Sequence, residues 1–318
     1  MAAAMPAVLC LGDSHTFGKA GAAWVLELAK VFPNARFLNR GVNGLQTMNV
    51  LWNLDKSFNA LGKSVAVPAA VTLLIGTNDV LRSLAHEGKD AFGQRWFGIA
   101  NGDTGPATLE TWTQQYRALL ETIAAKLDAR ARAASASSAS ASSATSATTT
   151  TTTAPTPVPL LVMKLPPLGE DLTDAVNAKV DAYNAALTQV VLDFAKAQKA
   201  LLKPAAGAMP RAVVMDVKLV DISSEFKAAI AKNQASRQAG GSWRPLVLPV
   251  PFSKAAKAIM GCQFAHDLWG RSFNAQSDAV GAAVLSPDAI HVNERGGDLI
   301  VGLLAAHLVK PLAPPASQ

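Results

Sequence analysis

The amino-acid sequence predicts a single α/β domain: a three-layer α/β/α sandwich built on a parallel sheet of about five strands. Three observations carry this expectation. Short apolar runs rich in β-branched residues recur along the chain, and longer segments of helical period separate them. Parallel neighbours need long crossover connections, which such helices supply. The 318 residues are also enough to bury one core of this size.

The strand candidates, in order, are residues 7–11, 35–38, 70–75, 160–163 and 212–215. A helix-like segment, 21–31, follows the first. Residues 108–132 place Leu109, Trp112, Tyr116, Leu119, Leu120, Ile123 and Leu127 on one helical face, and 173–200 do the same with Val176, Val180, Tyr183, Leu187, Val190, Val191 and Phe194. Between these helices, residues 133–154 are only Ala, Ser and Thr, followed by Pro155, Pro157 and Pro159. Nothing there is large enough to repay the entropy of ordering, so 133–157 reads as a disordered surface insertion. Residues 242–284 differ. Trp243, Phe252, Phe264, Trp269 and Phe273 are interleaved there with glycines and basic residues without clear periodicity, as in a long structured excursion. Such a segment serves either as a lid or binding surface, or as a helical pair covering the sheet edge.

Composition excludes several classes. No apolar run approaches the roughly 18 residues a membrane-spanning helix needs. The net charge of +6 comes from scattered Lys and Arg and forms no basic run, so a nucleic-acid partner is not expected. Cys10 lies in an apolar stretch where a buried free thiol is the common outcome, and Cys262 is remote from it. Residues 1–6 supply no secretory leader, so a cytoplasmic location is expected.

Four motifs carry the chemistry. Gly12-Asp13-Ser14 ends the first strand, Asn39-Arg40-Gly41-Val42-Asn43-Gly44 the second and Gly76-Thr77-Asn78-Asp79 the third, while Asp288-Ala289-Ile290-His291 lies toward the C-terminus. The carboxyl ends of strands are where open α/β sheets bind ligands. A serine hydroxyl needs a neutral imidazole to take its proton, which His291 would do, and a carboxylate on the far ring nitrogen fixes the tautomer, which Asp288 would do. Ser286 and Pro287 look like an N-cap and a first helical residue, which predicts Asp288 and His291 on one helical turn.

In these blocks and their order the chain resembles the SGNH hydrolases, also called GDSL esterases and lipases. The resemblance implies a flavodoxin-like strand order 2-1-3-4-5 and a catalytic set of Ser14, His291 and Asp288. It also implies an oxyanion hole made of the Ser14 and Gly44 backbone N–H groups and the Asn78 side-chain amide. The implied reaction is hydrolysis of a carboxylic ester through an acyl-serine, without metal or organic cofactor, on a small-molecule, lipid or sugar ester. Two positions depart from the family pattern: His15 stands where an apolar residue often follows the serine, and Val292 where proline often follows the histidine. His15 either contacts substrate or points into the following turn. Trp243 and Trp269 are candidates for lining the substrate site. His86, His266 and His307 have no metal-ligand spacing.

Rival readings belong to other classes. The run from Gly12 to Lys19 resembles a phosphate-binding loop, but five residues rather than four separate its glycines, and Ala20 replaces the hydroxyl that would hold Mg²⁺. A flavodoxin-like flavin-phosphate binder shares the fold, and a catalytically silent binding module would also share it. None of these uses Asn78, Asp288 and His291 together.

Overall fold

The computed structural model of the chain describes residues 5–62, 65–101, 108–141, 156–202, 211–239 and 244–313. Five parallel strands, β1 (Ala7–Gly12), β2 (Arg36–Gly41), β3 (Ala70–Leu74), β4 (Thr156–Met163) and β5 (Val213–Val220), form one sheet in the order β2-β1-β3-β4-β5. This is the order that the family resemblance implies.

The central strands β1 and β3 are buried along their whole length and read as near-continuous apolar runs because both sheet faces are covered there, whereas the edge strands carry Arg36, Asn39 and Arg40 in β2 and Asp216 and Lys218 in β5. Alternate residues serve different cores. Leu9 and Leu11 of β1, Val71 and Leu73 of β3, and Leu160 and Val162 of β4 pack into one cluster. Their neighbours Val8, Cys10, Leu161 and Met163 pack into the other.

The first cluster is closed by α3 (Thr47–Trp52), α4 (Leu54–Asn59), α5 (Thr77–Glu87), α6 (Ala91–Asn101), α7 (Leu109–Ala141) and α8 (Ala175–Ala200). Of the expected α7 face, Trp112, Tyr116, Leu119, Leu120, Ile123 and Leu127 are fully buried, and Leu109 sits at the margin. Trp112 packs between Tyr116 and Tyr183 of α8, at ring distances of 5.2 and 4.8 Å. Each such aromatic contributes on the order of 1.5–3 kcal/mol by burial.

The second cluster is covered by α2 (Trp24–Val31), α9 (Ile222–Gln238) and α12 (Glu294–Leu308), through Trp24, Phe226, Ile300 and Leu304. A four-residue α1 (Ser14–Phe17) follows β1, and α10 (Phe252–Trp269) and α11 (Phe273–Val280) precede the C-terminal loop.

Two boundaries differ from the sequence expectation. Helix α7 continues to Ala141, because its last residues are mostly alanine, the best helix former. Strand β4 starts at Thr156 and includes Pro157 and Pro159, so of the 133–157 tract only residues 142–155 lie outside the described residues. Within the excursion at 242–284 the described residues form two helices, α10 and α11, as one of its two expected readings has it, while Ser242 and Trp243 lie outside the described residues.

Candidate active site

The site gathers at the carboxyl edge of β1, β2 and β3. Gly12 is the last residue of β1, and a Cβ there would lie 2.2 Å from Thr16 Oγ1 and 2.3 Å from the Leu74 carbonyl oxygen. Only glycine lets the chain turn so tightly between its neighbours. Asp13 then caps α1, its carboxylate accepting the His15 N–H at 3.0 Å. Ser14 is thereby the first residue of a helical turn.

His291 Nε2 lies 2.9 Å from Ser14 Oγ, and its Nδ1 lies 2.9 Å from Asp288 Oδ2. Asp288 Oδ1 also accepts the N–H groups of Ile290 and His291, at 2.8 and 2.9 Å. All three residues are buried. The expected helical turn does not form here. Ala289 adopts a left-handed φ of 63°, and Leu285 pairs with Val292 in an isolated antiparallel bridge that closes a loop. The Asp288 carboxylate outcompetes the helical carbonyls for nearby N–H groups, a known habit of aspartate in turns. Ser286 caps no helix: its buried hydroxyl finds no partner among the described residues.

Burial alone would lower the pKa of His291, but the Asp288 charge, its hydrogen bond and the charge of Asp13 together raise it above the ordinary 6.5.

Two loops set the opposite side. Gly44 has a left-handed φ of 76°, which favours glycine, and it lines the cavity beside Ser14 and Asn78. Asn78 Nδ2 donates to the Leu45 carbonyl at 2.9 Å and reaches Asp13 Oδ2 at 3.4 Å. Asp79 Oδ2 accepts the Thr47 N–H and hydroxyl, at 3.0 and 3.1 Å, and Trp112 Nε1 donates to the same hydroxyl at 3.0 Å. These bonds lock the loop after β2 to the start of α5. Asn39, the first residue of its motif, is a brace: its amide donates to the Thr16 carbonyl and accepts the Gly41 N–H. Burial pushes the carboxyls of Asp13 and Asp79 up to about 7.

A cavity of about 260 Å³ opens from Ser14, Asn78 and His291. Its walls are Leu81, Phe97, Phe252, Ala255, Ile259 and Ile290, and its outer rim is Phe92, Trp96 and Met260. The aromatic wall therefore comes from α6 and the inner face of α10. Phe252 falls in the 242–284 excursion that the sequence offers as a binding surface, whereas the α6 aromatics Phe92, Trp96 and Phe97 sit among Gly93 and Gly98 in a segment without a motif. The i, i+4 spacing of Phe92 and Trp96 is their local signal.

Of the expected substrate contacts, Trp269 is 65% exposed on the outer side of α10, packed edge-on against Phe264, and does not line the cavity. It points outward because the apolar inner positions of α10 are 252, 255 and 259. Trp243 lies outside the described residues. His15 is also absent from the cavity wall: it is 2% exposed, with its ring centroid 5.5 Å from that of His291 and neither ring nitrogen hydrogen-bonded among the described residues. Burial, helped by the neighbouring His291, lowers its pKa to about 3. So weak a base does not compete with His291 for the serine proton.

The sequence also gave no sign of Glu170. Its fully buried carboxylate accepts the N–H groups of Ala283, Val284 and Leu285 at 2.8–3.2 Å, and so anchors the loop that carries Asp288 and His291. Cys10 and Cys262 are buried free thiols, both pushed up to about 12 chiefly by burial, and no thiolate chemistry is expected of them. Among the described residues no cluster of His, Cys, Asp or Glu could hold a metal ion, and no helix is long and apolar enough to cross a membrane.

The sequence model of the GDSL-like Lipase/Acylhydrolase family matches residues 10–214. No curated protein matches the chain. Among solved structures, the acetyl xylan esterase AlAXEase is 11% identical with a TM-score of 0.49, the match covering 95% of this chain and 99% of that one. The acetylxylan esterase Axe2 from Geobacillus stearothermophilus is 13% identical with a TM-score of 0.47, covering 98% and 96%. LAE5, an α/β hydrolase from the metagenome of Lake Arreo, Spain, is 16% identical with a TM-score of 0.46, covering 99% of each chain.

Proposed function

We propose, for a chain that belongs to the GDSL-like lipase/acylhydrolase family and is an ester hydrolase, that hydrolysis runs through an acyl-serine intermediate on Ser14. The observation that carries this reading is the unbroken relay from Ser14 Oγ through His291 to Asp288, with both links at 2.9 Å. In the first step Ser14 Oγ attacks the ester carbonyl carbon while His291 Nε2 takes the hydroxyl proton. Asp288 keeps the other ring proton on Nδ1 and stabilises the imidazolium.

The carbonyl π electrons move onto oxygen, where the donors are the Ser14 N–H, the Gly44 N–H and the Asn78 amide. The Asn78 hydrogen that reaches Asp13 at 3.4 Å is weakly held, and it is the one free to turn toward the oxyanion. Collapse breaks the bond to the alkoxy oxygen, and the alcohol leaves with the proton from His291. Water then attacks the acyl carbon, gives its proton to His291, and the carboxylic acid departs as Ser14 regains its hydrogen.

Ser14→Ala is expected to abolish both turnover of an aryl ester and covalent labelling by a fluorophosphonate, with an unchanged circular dichroism spectrum. Full turnover by that variant would overturn the mechanism.

A further inference from the structure

The cavity beside Ser14 has a one-sided chemistry. Beyond the end formed by Ser14, Asn43, Gly44, Asn78 and His291, every lining residue is apolar or aromatic except Gln263, and none is Asp, Glu, Lys or Arg. A sugar placed there would leave its hydroxyls against Phe97, Phe252 and Ile259 with no partners, at a cost for each buried polar group. A methylene chain has no such cost.

The roof is built rather than incidental. Phe97 and Phe252 meet edge to face at 5.8 Å, joining α6 to α10, and Asp90 Oδ2 accepts the Phe252 N–H at 2.6 Å. Gly93 of α6 sits so close that a Cβ would lie 2.8 Å from the Phe252 ring. At the mouth, Phe92 and Trp96 stack at 5.9 Å.

We infer that α6 and α10 form an acyl pocket, and that the preferred substrates are esters of unbranched medium-chain carboxylic acids. The inference rests on the ester-hydrolase reading above. The acyl group is assigned to the roofed side because it stays bonded to Ser14 through both steps, whereas the alcohol must leave and water must enter from the open side. Size sets the limit. A cavity of roughly 150 Å³ admits the six carbons of benzene, so one of about 260 Å³ admits on the order of ten carbons, less the room taken by the reacting carbonyl. The chain-length optimum is placed at hexanoyl to octanoyl.

The test uses p-nitrophenyl esters from acetyl to hexadecanoyl, beside acetates of butanol, hexanol and octanol. From acetyl to the optimum, kcat/KM should rise about three- to fourfold per methylene, the effect of burying each one, and then fall for dodecanoyl and beyond. Ala256→Trp, which fills the cavity from a half-buried position, should lower the octanoyl-to-acetyl ratio of kcat/KM at least tenfold. Ile259→Ala should move the optimum to longer chains. Because each ratio is internal to one variant, altered expression or partial unfolding does not produce it. Fluorophosphonate labelling with an acyl ranking that is flat or highest for acetyl would overturn the pocket alone. Length dependence in the alcohol series instead would place the alcohol under the roof and overturn it too. Absence of both labelling and turnover would overturn the ester-hydrolase reading and this inference with it.

Discussion

His291 and His15 face each other at van der Waals range, yet their protonation runs in opposite directions. In the proposed mechanism the base form of His291 is the active one, so activity is lost as pH falls through its raised pKa. The acid limb of kcat/KM should therefore lie above 6.5. Asp288→Asn removes the charge that raises it. That variant should lose roughly 10⁴-fold in kcat, with the residual limb moved to lower pH. An unmoved limb would mean that Asp288 does not set the pKa of His291.

His15, lowered to about 3 in the folded chain, binds a proton only after unfolding between that value and its ordinary 6.5. Its contribution to stability is thus present above 6.5 and lost as pH falls toward 3. His15→Leu should flatten the decline of melting temperature over that window and still label with a fluorophosphonate. Loss of labelling in a folded variant would give His15 a part in catalysis. The Asn78→Ala change should lower kcat by about 10²–10³ with little effect on KM. A change confined to KM would make Asn78 a binding residue.

At the scale of elements, the loop that carries Asp288 and His291 has little secondary structure of its own. It is held by the Glu170 carboxylate, by Asn293 capping α12 while donating to the carbonyls of Ala283 and Leu285, and by the Ala22 N–H on the Val292 carbonyl. Glu170→Ala would strand three buried N–H groups, at about 1–3 kcal/mol each. It should lower the melting temperature by several degrees and lower kcat more than it raises KM. Equal changes in stability with an intact kcat would confine Glu170 to a structural role.

Sequence spacing could not show this anchor, because Glu170 is over a hundred residues from the backbone it binds. The same holds for the roof, in which α6 and α10 meet across 162 positions. The turn at 286–291 was misread as helical for a local reason. Ser-Pro-Asp is a good helix start, and it takes the Leu285–Val292 bridge together with the Asp288 side chain to hold the segment in a loop.

Across the whole molecule, the fold and the meeting of Ser14, Asn78, Asp288 and His291 at one sheet edge were the most legible parts. A parallel sheet covered on both faces leaves apolar strands separated by helical crossovers, and strand-end motifs then fall on one edge by topology alone. What could not be read was the chemistry of the space between elements: which aromatic residues face Ser14, and which carboxylate braces the loop.

The relay itself has a consequence for how the protein comes into being. Ser14 and His291 are 277 residues apart, so a ribosome adding about 5–20 residues per second makes the proposed nucleophile tens of seconds before its proposed base. Until that base arrives, the emerging polypeptide holds an unactivated serine and cannot attack esters around it. In a refolding experiment the same separation makes turnover a clock for the last long-range contact. Helical signal should return first, and hydrolysis only when the two ends of the chain have met.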